Sequence, residues 1–204
     1  MVSPSAFCQR SRLSLSVDSL SNYIVSPAYK TLKDKSTQTA LIDSIYLKAL
    51  NICGGDISES LYALMFVFLQ HPSVTLDFPA PVPDIIIPLL TPDSELFNER
   101  NELIPRGFLF DSKYYSSDDR DKLSHFFGSA FLGYNNFSWL TLLIGNMIEA
   151  SEELLIVRNK VDHRDLKINF LGFKYGERLR KEPFRLPSSF VILYNLNHYF
   201  IVTR

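Results

Sequence analysis

Asp118-Asp119-Arg120-Asp121-Lys122-Leu123-Ser124-His125-Phe126-Phe127-Gly128-Ser129-Ala130-Phe131-Leu132-Gly133-Tyr134 is the stretch on which the fold class turns. Ser116-Ser117 ahead of it offers helix caps, and the acidic residues that follow stand where the positive end of a helix dipole favours them. Leu123, Phe127, Ala130, Phe131 and Tyr134 then recur on one helical face. Asp121, His125 and Gly128, at i, i+4 and i+7, make a separate polar and small stripe. The spacing predicts a helix from Ser116 to about Tyr134.

The same arrangement returns twice downstream. Between Trp139 and about Asn159, Leu140, Leu143, Ile144, Met147 and Ile148 run beside Thr141, Gly145, Glu149 and Glu152. After Asp162, a cap residue, Asp165, Asn169, Gly172 and Gly176 share one line with Leu166, Phe170 and Phe173 next to it. Small residues let helix backbones approach, so Gly172-x-x-x-Gly176 predicts a groove that a neighbouring helix enters. Phe126 to Ile148 is 23 residues without a charged side chain, long enough to cross a bilayer. Gly133-Tyr134-Asn135-Asn136-Phe137-Ser138 interrupts it, so the reading is two helices meeting at a turn.

Upstream, Leu41, Ile45, Ala49 and Ile52 form a helical stripe that Gly54-Gly55 stops. Asp56 and Glu59 have capping-box spacing for the next helix, with Leu61, Leu64, Met65 and Phe68 behind it. Six of the chain's eleven prolines fall between Pro72 and Pro92, which forbids a helix interior and predicts an extended strap. Ile85-Ile86-Ile87 and Leu89-Leu90 within it are too apolar for a linker in water. Thr91-Pro92 reads as cap and first residue of a short helix to Asn101. Near the other end, Phe190-Val191-Ile192-Leu193-Tyr194 and His198 to Thr203, split by Asn195-Leu196-Asn197, predict a β-hairpin whose second strand is an edge available for homodimerisation.

The fold class expected is therefore mainly α: a compact helical bundle with a proline-rich strap and a C-terminal β-hairpin. Residues 1–35, Ser-rich and weakly periodic, are expected to be a weakly ordered arm, and 36–204 a single helical domain with 118–180 as a three-helix motif region. A composition of 46% hydrophobic and 21% charged residues suits a folded chain of 204 residues with one core. Lys and Arg number 21 against 22 acidic residues, so no net basic field gathers phosphates, and nucleic acid is not an expected partner. Cys8 and Cys53 form no CxxC pair, and no apolar export signal precedes Cys8. Nucleophile-elbow, Walker, dinucleotide and zincin motifs have no counterpart here.

Where the three stripes converge, an imidazole and several carboxylates would meet in a low-dielectric pocket and must pair, protonate or bind a cation. Asp121, His125, Glu149, Glu152 and Asp165 are the candidate ligands of a divalent metal. His125, Glu149, Asp165 and Asn169 are the candidate catalytic groups of a metal-dependent hydrolase, with Asn169 orienting substrate. A structural reading stands beside each. Asp165 could only complete a cap with Asp162, Glu152 and Glu153 could line a solvated face, His125 could be a hydrogen-bonded structural histidine, and Asn169 could tie one helix to another. A buried polar network of structural or ligand-binding role is the leading reading, the hydrolase its rival, and a protein-interaction scaffold a third.

Asp121-Lys122-x-x-His125, then Gly145 with Glu149 and Glu152, then Asp165-Leu166-x-x-Asn169-x-x-Gly172-x-x-x-Gly176 resembles the motif order of bacterial VanZ-like proteins and of a related family of periplasmic lipoproteins of unknown function. The resemblance covers about residues 118 to 180. It implies helical hairpins, a membrane or cell-envelope (periplasmic) setting in a bacterium, and shared polar positions at Asp121, His125, Glu149, Asp165 and Asn169, without an established reaction. VanZ-like proteins are membrane-embedded, whereas Arg120, Lys122, Arg158, Lys160, Lys167 and Arg178 are charged here, and the strap has no counterpart.

Overall fold

The computed structural model describes residues 11–76, 85–113, 119–136 and 163–202. They are mainly helical, with eight α-helices and one antiparallel strand pair among them.

Residues expected to form a loose arm instead begin the core. Helix α1 (Arg12–Val25) is capped by Ser11 Oγ, which accepts from the Ser14 amide at 3.1 Å, and buries Val17, Leu20 and Ile24 completely. The serines that made this stretch look weak are partly what packs: Ser16 and Ser21 are buried, and Ser21 Oγ donates to the Val17 carbonyl. A short α2 (Pro27–Lys33) follows a Ser26 cap with proline at its start, where the missing N–H costs nothing.

Local signals account for the next pair. Helix α3 (Gln38–Ile52) buries Leu41, Ile45 and Ala49, and ends at Gly54 and Gly55, whose φ of 66° and 86° are conformations that glycine alone adopts without strain. Helix α4 (Ile57–Val67) starts from Asp56, whose Oδ1 accepts from the Glu59 amide at 2.9 Å. The Glu59 carboxylate does not close the capping box; it pairs with Arg12 at 2.9 Å, binding α4 to α1.

The ends of the proline-rich stretch are strands β1 (Ser73–Leu76) and β2 (Ile85–Pro88), paired antiparallel with Ser73 opposite Pro88 and Leu76 opposite Ile85. Ile86 and Ile87 are exposed, contrary to the expectation that this triplet avoids water. Helix α5 (Ser94–Leu103) begins two residues later than Pro92 because Asp93 is the better cap, accepting from the amides of Glu95 and Leu96. From α5, Arg100 is fully buried. It donates to Ser21 Oγ, the Leu69 carbonyl and Asn101 Oδ1, and its guanidinium lies 4.8 Å from the Phe97 ring centre. Burial lowers its pKa to about 10, which still leaves it charged at neutral pH.

After a 3-10 turn (Phe110–Lys113) come α6 (Arg120–Tyr134), α7 (His163–Leu179) and α8 (Ser188–Val202). The expected turn after Tyr134 is present, with Asn136 at φ 58°. The second motif helix, including Glu149 and Glu152, lies outside the described residues, as does the Asp162 cap.

Helices α6 and α7 approach each other closely enough to bring backbone against backbone. A Cβ added at Gly172 would collide with the Phe126 carbonyl oxygen, one at Gly176 with the Ala130 carbonyl oxygen, and one at Gly133 with the Phe173 carbonyl oxygen. Phe126 thus meets Gly172 and Ala130 meets Gly176, so the two helices run parallel. Gly128, placed by periodicity on the polar stripe, faces Met65 of α4 instead, and Gly133 is the glycine of α6 that α7 touches. Phe170, expected in the apolar line, is 53% exposed, while Ile168, Phe173 and Tyr175 are buried.

The predicted C-terminal hairpin is not formed. Residues 188–202 are one helix, which buries Val191 and Tyr194 at helical spacing and so overrides their strand propensity. Asp43 of α3 caps it from a distance, with Oδ1 accepting from the Ser188 amide at 2.9 Å. Asn195 holds the helix to the 108–110 backbone by accepting from the Phe110 amide at 2.8 Å and donating to the Phe108 carbonyl at 2.9 Å. The strand edge proposed for homodimerisation is therefore absent. One hydrophobic cluster joins α1, α3, α4, α6, α7 and α8, with Phe68 stacked on Phe127 and Phe126 on Tyr175 at ring distances of 5.4 and 5.3 Å.

Candidate functional site

Because α6 and α7 are parallel, their first turns lie side by side and both helix dipoles point their positive ends the same way. Asp121 and Asp165 occupy those first turns, each favoured there by about 0.3–1 kcal/mol in exposed settings. Lys122 opposes the dipole of α6, and it is held by the two carboxylates. Its ammonium lies 2.9 Å from Asp121 Oδ2 and 2.5 Å from Asp165 Oδ1, with the lysine side chain 3% exposed.

His125, one turn on from Asp121, places Nε2 3.8 Å from Asp165 Oδ1. Its side chain is 42% exposed, so the cluster opens to solvent on the imidazole side. One ligand atom each from Asp121, His125 and Asp165 lies within 4.8 Å of the others. Bonds of about 2.0–2.6 Å from oxygen or nitrogen to a divalent ion place ligand atoms about 3–5 Å apart, so the set matches a three-ligand face with an open side.

Two further atoms bear on the chemistry. Asp121 Oδ1 and Asp165 Oδ1 are out of contact with solvent and accept no hydrogen bond among the described residues. The Lys122 contact to Asp165 Oδ1 is an ion pair without hydrogen-bond alignment. Carboxylate oxygens in that condition are costly unless a positive charge faces them.

Deeper along the same crossing, the Ser129 hydroxyl donates to Asn169 Oδ1 at 3.0 Å. Asn169 thus ties α6 to α7 one turn below Asp165, the interhelical role weighed against substrate contact. Of the sequence candidates, Asp121, His125 and Asp165 come together and Asn169 sits beneath them. Asp165 lies in the cluster. Glu149 and Glu152 lie outside the described residues.

Three residues that shape the site had no role assigned from sequence. Lys122 was visible only as one charge of an Asp-Lys pair; the signal that singles it out is a lysine in the first turn of a helix, against the dipole. Ser129 sits four residues after His125 on a small-residue face. Asp119 is buried just ahead of α6, where its carboxylate accepts from the amides of Gly107, Phe108 and Leu109 at 2.6, 2.9 and 3.1 Å and from the Ser112 hydroxyl at 2.7 Å. It fixes the point at which the chain enters the site helix.

Comparison of the chain with protein-family models, with curated proteins and with solved structures finds no match.

Proposed function

We propose that the Asp121/His125/Asp165 cluster is a ligand site that takes a divalent cation, in a helical protein of the bacterial cell envelope whose helices act as one compact bundle. One observation carries the cation reading: an imidazole and two carboxylates from parallel helices converge within 4.8 Å, while Asp121 Oδ1 is buried without a hydrogen bond. Mixed oxygen and nitrogen donors suit Zn²⁺ or Mn²⁺. The envelope setting follows from the VanZ-like motif order and rests on that resemblance alone. No helix among the described residues is long and apolar enough to cross a membrane. With three protein ligands and a solvent-facing side, a bound ion would keep a position for water, so a metal-dependent hydrolase extends the same reading.

A second reading has its own observation. Lys122 already stands between the carboxylates, nearly inaccessible to water, which favours a permanent ion network clamping α6 to α7. The two readings predict opposite results for Lys122→Met. If the site takes a cation, removing the competing ammonium strengthens uptake. If it is a clamp, the variant loses stability and gains no metal affinity.

Calorimetric titration of the full chain with Zn²⁺ and Mn²⁺ decides between them. Binding of one equivalent, lost in both His125→Ala and Asp165→Asn and tightened in Lys122→Met, supports the cation site. Uptake that is weak and equal in all four proteins refutes it.

A further inference from the structure

About 14 Å along α7 from Asp165 the surface changes character. From Lys174 to Arg185 there are five cations and two carboxylates, in a chain whose formal net charge is −1. Lys174, Arg178, Arg180 and Lys181 are exposed and, with Glu177 and Phe190, line a cavity of about 370 Å³. Lys174 pairs with Glu177, and Arg178 and Arg185 with Glu182, whereas Arg180 and Lys181 hold no ion pair among the described residues. Next to them, in the turn between α7 and α8, Phe184 is 93% exposed, more than any other large apolar side chain described.

The apolar surface continues from there. Phe190 at the cavity wall, Leu193 and Leu196 follow one another at i, i+3 and i+6 along α8, and Leu193, Leu196 and the neighbouring Ile192 are each 47% exposed. From Ser188 to Leu196, helix α8 thus carries apolar side chains on its outer face as well as on its buried one. A prominent phenylalanine beside unpaired cations, bordered by an aliphatic stripe, has the chemistry of an interfacial surface: cations reach headgroup phosphates while the ring and the aliphatic side chains enter the acyl boundary.

We infer that the 180–185 turn and the outer face of α8 dock on an anionic phospholipid bilayer. Lysine and arginine attract both lipid phosphate and nucleic acid; the exposed Phe184 and the Ile192/Leu193/Leu196 stripe decide for lipid, because a nucleic-acid backbone leaves an aliphatic stripe in water. The inference is independent of the cation site and shares only the envelope setting with it.

The test is co-sedimentation of the full chain with vesicles of phosphatidylcholine alone and of phosphatidylcholine mixed with phosphatidylglycerol. Pelleting is expected with the mixed vesicles only, and it weakens as salt rises. Reversing two charges in Arg180→Glu/Lys181→Glu lowers partitioning by at least about 20-fold, at about fivefold per cation removed. Phe184→Ser lowers it by about tenfold. Both substitutions are at exposed positions, and circular dichroism checks that the variants fold. His125→Ala, which dismantles the cation cluster, pellets as the parent does, so failure of one proposal is separable from failure of the other. No pelleting, or equal pelleting with neutral vesicles, overturns the inference. So does retention on duplex DNA or RNA in place of vesicles, or a dimer that Phe184→Ser dissociates while vesicles bind nothing.

Discussion

Replacing Gly172 by alanine tests whether the α6/α7 crossing is set by backbone contact. The new carbon would overlap the Phe126 carbonyl oxygen and stand 2.9 Å from both the carbonyl carbon and Cα of Phe126. Carbon atoms rest at about 3.5–4.0 Å, and every atom met here is backbone, so no rotamer change relieves the overlap. The helices must part by roughly 1 Å. Overpacking of this kind costs about 1–3 kcal/mol, and a contact between two backbones belongs at the upper end. Alanine in a helix returns about 1 kcal/mol over glycine, which leaves a net loss of about 2 kcal/mol. For a chain of this size that is a fall in Tm of about 4–8 °C. Gly176→Ala should behave alike, since its Cβ would strike the Ala130 carbonyl and lie 2.7 Å from the Tyr134 nitrogen. Gly128→Ala is the control on the partner helix α6: its nearest neighbour is the Met65 sulfur at 3.1 Å, a flexible side chain that can yield. That variant should be unchanged or up to about 1 kcal/mol more stable. Urea unfolding followed by circular dichroism measures all three. If Gly172→Ala and Gly176→Ala match Gly128→Ala, the close crossing is not what holds these helices.

Asp119→Ala orphans three backbone amides and the Ser112 hydroxyl and should cost about 3–5 kcal/mol, with protease cleavage appearing first between 104 and 113; a melt within 1 °C of the parent would contradict the role given to Asp119. Arg100→Lys cannot reach Ser21, Leu69 and Asn101 with one ammonium, so a loss of about 2 kcal/mol is expected in urea titration. Burial raises the Asp43 pKa, so the folded chain binds that proton more tightly than the unfolded one. Its contribution to stability is full below the unfolded pKa and is lost as pH rises through the folded value. Asp43→Asn should therefore gain on the parent as pH increases across the carboxylate range, and parallel Tm profiles would contradict this. Burial likewise holds the Tyr29, Tyr46 and Tyr175 phenols above their ordinary value, so stability should fall above about pH 10, with tyrosinate absorbance rising together with unfolding rather than before it.

What could be read from sequence was what the chain writes locally. The stripe of α3, its double-glycine stop and the Asp56 cap need only neighbouring residues, and the structure has all three. Gly172, Gly176, Asp165 and Asn169 were legible for the same reason, since one helix carries them at fixed spacing. Periodicity says which residues share a face but not which neighbour that face meets, and so Gly128 was taken for Gly133. The run 190–194 has strand chemistry, and it is helical because its cap comes from Asp43, 145 residues away, and its side chains pack on a core already built by other helices. Asp119 looked like one more acidic residue in a first turn because the loop it gathers is held by backbone amides, which every sequence contains.

Helix α8 draws its first hydrogen-bond cap from α3 and its middle anchor, Asn195, from the 108–110 backbone, across 145, 85 and 87 residues. During synthesis the N-terminal elements emerge first, yet the wall that α8 supplies to their core is made last of the described elements. Until then, Val191 and Tyr194 are missing from a cavity lined by apolar side chains, and loop closure over that distance sets the pace of the final step. Until residues 188–202 arrive, that apolar surface stays open, so truncation within 188–202 is expected to destabilise the helices before it and not only to remove α8.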